Sequence, residues 1–292
     1  MAGAVRVTAL STTPVKGLRI AARERLQLER AGARGDRAFY LIDSRGRMIN
    51  GKHSGALNGI IAKLADGGEL TLTFADGRVV SGTPETGEEV QTRFHSRPRA
   101  ARLVGGRFSQ AISSHAGEAL RLVRAADDAS AIDRGARGAV TLISRGSLER
   151  LAEVAGEPTV DARRFRMTVE LDGVTPFGED AWIGRDVMIG DAVVRPRGHV
   201  GRCIVTSRHP VSGVVDLPTL DLLRSFRSGA QTTEPLAFGI YAEVLRPGIV
   251  ELGDEVVVAD EAPPADEVPP ADEVPPGDAL ADDAVAATEG SG

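Results

Sequence analysis

Short apolar runs alternate with glycine-, aspartate- and proline-marked turns along most of the chain, and this limits the fold more than any other feature. ELTLTF, then Ala75-Asp76-Gly77, then RVVSG reads as strand, tight turn and return strand. AFYLID followed by Asp43-Ser44-Arg45-Gly46 and RMIN reads as a second hairpin. VMIGDAVVRP turns about Gly190-Asp191, and IVELGDEVVV reads as a hairpin about Gly253-Asp254. AVRVTAL (4–10), ERLQLER (24–30), AVTLIS, VEL and residues 236–245 add further strands. Only three segments carry helical signals. One spans residues 109–122, with Ser109 as N-cap, and includes His115. Another runs from Ser144 to Ala155, with Leu148, Leu151, Ala152 and Ala155 on one face and Gly156 and Pro158 behind it. The third is TLDLLRSFR (219–227), with Thr219 as N-cap. LNGIIAKL (57–64) suits a short helix or a strand equally.

The expected fold is therefore mostly β with some α, an α+β chain in two units. Residues 1–125 form a small β-barrel-like domain, and residues 126–259 form a second β-barrel domain with a few helices. From 260 the composition changes. PPADEV occurs twice in tandem (263–268 and 269–274), and residues 259–292 hold ten acidic side chains and no Lys or Arg. Such a tail buries no core and is expected to be disordered. It also accounts for the formal charge of −6, since the remainder of the chain is basic by about +4. That suits an anionic small ligand but is too sparse for nucleic acid. No apolar run reaches ~18 residues and no signal-peptide core is visible, so the expectation is a cytoplasmic chain with no membrane partner.

Chemistry concentrates in HVGRCIVTSRHPVSG (199–213). Cys203 is the only cysteine, which excludes an internal disulfide framework. Arg202 and Arg208 flank it, and a cationic setting favours the thiolate, a soft metal ligand and a nucleophile. A second candidate is RRFR (163–166). If extended, it puts Arg164 and Arg166 on one face for a phosphate or carboxylate and Arg163 on the other. Pro14 and Gly17 bracket a turn that presents Lys16. Glu179 and Asp180 are adjacent and, in a β segment, face opposite ways, which suits structural roles better than a paired acid and base. His199, Cys203 and His209 offer three ligands for a plain zinc module, at a spacing that fits no common zinc pattern.

Taken in order, PVKG (14–17), GDRAFYLID (35–43), RRFRMTV (163–169), PFGEDAW (176–182), RCIVTSRHPVSG (202–213) and FGIYAEVLRPGIVELGDEV (238–256) resemble the MOSC family. These are the molybdenum-cofactor sulfurase C-terminal domain proteins, here with the family's β-barrel domain at the N-terminus. The likeness covers about residues 4–258, and within the family it is greatest to the mitochondrial amidoxime-reducing components and their bacterial relatives. It implies a molybdenum-cofactor (molybdopterin) oxidoreductase acting on small N-hydroxylated compounds. It implies Cys203 as the catalytic metal ligand, with Lys16, Gly17, Arg37, Gly138, Ala139, Arg166, Thr168 and Arg202 toward the cofactor. Two positions depart from those reductases: Gly17 replaces a serine, and Arg166-Met167-Thr168 replaces Arg-Pro-Asn. One cysteine cannot hold an iron–sulfur cluster, so electrons are expected from a separate donor protein. The alternative is a sulfur carrier that passes a Cys203 persulfide to a metal centre. Pyridoxal phosphate attaches to this reading only at family level, because the sequence shows no separate pyridoxal-phosphate domain to generate the sulfur.

Overall fold

The computed structural model describes residues 4–94, 97–126 and 135–260. The acidic repeats and most of the loop after Ala125 lie outside the described residues. Strands dominate, joined by three α-helices, α1 (Arg107–Ala116), α2 (Arg145–Ala155) and α3 (Thr219–Arg227), so the mostly β, α+β expectation holds.

Among the described residues the largest sheet has eight strands and mixes the two ends of the chain. Its middle is Val140–Ser144, antiparallel to Ala237–Arg246 and parallel to Val169–Asp172. The N-terminal strand Arg6–Thr12 joins it by pairing with Val169–Asp172. In return, Gly248–Glu251 pairs with Arg25–Glu29. One core cluster accordingly combines Val7, Leu10, Leu26 and Leu28 with Leu142, Leu171, Ile240 and Val250. A second core belongs to the first half: Val15, Leu18, Phe39 and Leu41 pack on Leu57, Ile60, Leu72, Phe108 and Ile112. A third holds α2 and α3 against the large sheet through Leu148, Leu151, Leu223, Phe165, Met167 and Phe238.

Local signals explain most elements. The Ser144 hydroxyl accepts from the Ser147 N–H at 3.1 Å and starts α2, and Gly156 ends it in a left-handed conformation. LNGIIAKL is both of its alternatives in succession: a 3-10 turn, Gly55–Gly59, and then the strand Ile60–Leu64.

Three expectations are corrected. The helix expected over 109–122 runs Arg107–Ala116, with Gly106 rather than Ser109 as N-cap, and the Ser109 hydroxyl accepts from the Leu122 N–H instead. Thr219 is inside α3, after Pro218, and its hydroxyl donates to the Thr206 carbonyl. The strands on either side of Gly253-Asp254 do not pair with each other. Gly248–Glu251 joins Arg25–Glu29, while Val256–Val258 joins Val187–Ile189. The turn is real, since the Asp254 carboxylate accepts from the Glu251 N–H at 2.7 Å, but long-range partners capture both arms.

Candidate functional site

Cys203 lies where the strand Ala192–Gly201 ends and a 3-10 turn, Ile204–Ser207, begins. Its carbonyl accepts from both the N–H (3.0 Å) and the hydroxyl (2.9 Å) of Thr206, which fixes the backbone while the half-buried thiol stays free. Behind it, Arg202 is 6% exposed. Its guanidinium donates to the Phe238 carbonyl, to the Phe165 carbonyl at 3.0 Å and to Met167 Sδ at 3.0 Å, and it stacks over the Phe165 ring. Gly239 sits against this brace at φ +79°. A Cβ there would lie 2.7 Å from Met167 Cε and 2.8 Å from the Leu142 carbonyl oxygen.

Close to Cys203 along the chain, Val205 lines a narrow cleft with Arg19, Ile20, Asn58, Arg163, Arg164, Arg166, Arg208 and Pro210. Two residues of chain reach at most about 7 Å, so the cysteine is adjacent to it. The cleft joins the two halves of the chain. Arg19 Nε donates to the Asn58 carbonyl at 2.7 Å, and Asn58 Nδ2 donates to the His209 carbonyl at 3.1 Å.

RRFR is not extended. Residues Ala162–Phe165 form a 3-10 turn capped by Asp161, whose carboxylate accepts from the Arg163 N–H at 3.0 Å, and Arg166 follows at φ +57°. The tight turn brings Arg163, Arg164 and Arg166 to the same cleft, where a strand separates them. Arg37 also has positive φ, +53°. Its backbone is held by the Thr13 carbonyl and its side chain by Asp36, and its Nη2 reaches the Arg166 carbonyl at 3.4 Å. Two arginines 129 positions apart are thereby joined beside the cysteine loop.

The other candidates are placed differently. Lys16 is buried with its Nζ 5.2 Å from the centre of the Phe94 ring, and it is not among the cleft residues. Gly17 has φ +96°, with a Cβ position 3.2 Å from Asn50 Cα, so the backbone alone calls for glycine there. Gly138 and Ala139 lead into the strand Val140–Ser144 and are buried. Thr168 clasps two strands, its N–H donating to the Thr141 hydroxyl at 2.9 Å and its carbonyl accepting from Ser11 N–H.

Glu179 is buried and Asp180 half-buried, and both serve structural contacts. Glu179 accepts from Ser144 N–H (3.1 Å) and the Ser147 hydroxyl (2.8 Å), and burial pushes its carboxyl upward. Asp180 pairs with Arg227 at 2.8 Å and faces His199 Nε2 at 3.5 Å. Its burial would raise its pKa, but hydrogen bonds from His199 and Arg227 outweigh this and hold it low. The His199 ring lies between Asp180 and Thr233, while His209 Nδ1 accepts from Val211 and Ser212 N–H. Among the described residues no group of three His, Cys, Asp or Glu side chains is placed to hold a metal ion, which removes the His199–Cys203–His209 zinc set. Nor is any described helix long and apolar enough to cross a membrane.

Comparison with known proteins adds the family. The MOSC N-terminal beta barrel domain matches residues 4–115, and the MOSC domain matches residues 129–257. Mitochondrial amidoxime-reducing component 1 from Homo sapiens is 27% identical over 252 residues, covering 78% of this chain and 74% of that protein. The Xenopus laevis protein of the same name is 32% identical over 123 residues, 40% of this chain and 35% of its own length. Among solved structures, the YUAD protein from Bacillus subtilis aligns over 88% of this chain and 96% of its own, with a TM-score of 0.42 and 13% identity. Both halves match in the family's own order, and the chain belongs to the MOSC family, with the N-terminal barrel domain ahead of the MOSC domain.

Proposed function

We propose that the chain is an oxidoreductase that holds the molybdenum cofactor at Cys203 and reduces small N-hydroxylated compounds with electrons from a separate donor protein. The observation that supports this reading most is the convergence of Arg37, Arg166 and the Cys203 turn, which come from three distant stretches of sequence. The relatives named amidoxime-reducing components point to the same substrate class.

The residues present fit the group. A pterin cofactor brings a phosphate and a thiophilic metal, and this site offers guanidinium groups and one half-buried thiol. When bound, the cofactor supplies the two-electron redox chemistry. Cys203 would give the metal a thiolate from a backbone held by Thr206. Arg37 and Arg166 would supply guanidinium groups for the phosphate, and their left-handed backbones set where the side chains leave the chain. Arg202 keeps the strand ends behind the cysteine in place.

The test is metal content. Wild type and Cys203→Ala are expressed in a host that makes molybdenum cofactor, and Mo and Zn per chain are measured by mass spectrometry. Near-stoichiometric Mo is expected in the wild type and none in the variant, and the loaded wild type should reduce an N-hydroxylated amidine with an artificial reductant. No Mo in the wild type, together with a persulfide mass shift at Cys203, would move the reading to sulfur transfer.

A further inference from the structure

The cleft near Cys203 carries more positive charge than its own carboxylates balance. Arg163 pairs with Asp161 at 2.6 Å, and Arg164 pairs with both oxygens of Asp216, at 2.9 and 3.1 Å. Arg19 and Arg208 have no carboxylate partner among the described residues; they are tied to carbonyls of Asn58 (2.7 Å) and Gly213 (2.9 Å). The Arg164 side chain is 7% exposed, and its Nε, like that of Arg208, is buried without a hydrogen-bond partner among the described residues. A buried guanidinium N–H normally finds an acceptor. Arg19 also feels its neighbours: burial first, and then the charge of Arg163, lower its pKa. Crowded cations lining a concave surface are stabilised by an oxyanion between them.

We propose that this cleft is an oxyanion subsite, built by Arg19, Arg163, Arg164 and Arg208, that takes the carboxylate or phosphate of a small-molecule substrate. The cleft includes Val205, two residues after Cys203, so an anion held there keeps the rest of the substrate near the cysteine turn. The substrate role rests on the reductase reading above, whereas the anion binding does not. An oxyanion here has two sources, the substrate or the cofactor's own phosphate, and these are separated by experiment.

Inorganic phosphate is titrated calorimetrically into the full chain, with and without loaded cofactor, for wild type, Arg19→Gln, Arg163→Gln and the charge-keeping Arg163→Lys. The expected result is saturable binding to both forms, weakened about tenfold by each Gln variant and less by Lys, as loss of one charge-assisted contact implies. Phosphate binding only to the cofactor-free chain would assign the cleft to the cofactor's phosphate and overturn the proposal. So would binding that the Gln variants leave unchanged, or no saturable binding at all. On the loaded enzyme, Arg163→Gln should raise KM about tenfold for a carboxylate-bearing amidoxime and leave KM for its neutral analogue unchanged. Equal shifts for both substrates would sink the substrate role. Failure to reduce either substrate, with Mo bound, would sink the reductase reading while the phosphate result stood.

Discussion

The wall behind Cys203 and the cleft near it are both rich in arginine, yet they use the residue in opposite ways. Arg202 points into the interior and spends its donors on two main-chain carbonyls and a thioether sulfur. Arg163, Arg164 and Arg208 line a shared concavity, and two of them keep an unmatched N–H among the described residues. Proximity to the cysteine along the chain does not separate the two groups: Arg202 is its immediate neighbour and Arg208 is five residues away. What separates them is whether a donor is left over. Arg202 has all three guanidinium nitrogens hydrogen-bonded, whereas Arg164 and Arg208, although they too reach main-chain carbonyls, each keep a buried Nε without a partner among the described residues. A cation with a donor left over has capacity for a ligand.

If the wall is structural, damage there should be global and large. Arg202→Leu leaves the Phe165 and Phe238 carbonyls without this donor and removes the stacking over Phe165. The expected loss is about 3 kcal/mol of unfolding free energy, from orphaned buried acceptors and lost packing. Urea denaturation followed by far-UV circular dichroism measures it. A loss under about 0.5 kcal/mol, the range of an ordinary surface change, would break the distinction between wall and cleft.

The pair that anchors the cleft should show an intermediate effect with a pH signature. The hydrogen bonds from Arg164 hold the Asp216 carboxyl below the usual carboxylate range, against the upward push of partial burial. A depressed native pKa contributes stability above the unfolded value, near 4, and that contribution is lost as pH falls through the native value. Asp216→Asn should therefore cost about 2 kcal/mol at pH 7, a figure reduced for the partial exposure of Asp216. The difference from wild type should shrink toward pH 3. A difference that stays constant between pH 7 and pH 3 would mean that Asp216 acts through packing rather than charge.

The sequence made some of this arrangement legible and hid the rest for physical reasons. Turn chemistry at Gly77 and Gly190 and the Ser144 cap act over a few residues, so those elements can be read directly. The basic run at 163–166 stands out in the sequence, but the extended backbone that would put Arg164 and Arg166 on one face is not what forms there. Asp161, two residues ahead of Arg163, was the available signal for a capped turn. Arg19 and Asn58 carried no local signal. They reach the cleft because Arg19 bridges to Ile61, 42 positions away within the first half, and Asn58 reaches His209, 151 positions away across the two halves. The exchange of Arg6–Thr12 and Gly248–Glu251 between the halves was hidden for the same reason.

The smallest expected stability effect sharpens the comparison most. Arg163 has a side chain 47% exposed and a bidentate pair with Asp161. Exposed pairs contribute little, so Arg163→Gln should change unfolding free energy by less than about 0.5 kcal/mol. The turn survives because the Asp161 cap uses the main-chain N–H of residue 163, which the substitution keeps. Against that near-silence in stability, phosphate affinity should fall about tenfold. Arg202→Leu marks the opposite extreme: a large stability loss, with phosphate binding intact in whatever fraction remains folded. Measured side by side, the two variants separate an arginine that builds the site from one that serves it. If Arg163→Gln destabilises the chain as much as Arg202→Leu does, the cleft is a second structural brace, and the unmatched N–H groups of Arg164 and Arg208 do not mark a ligand site.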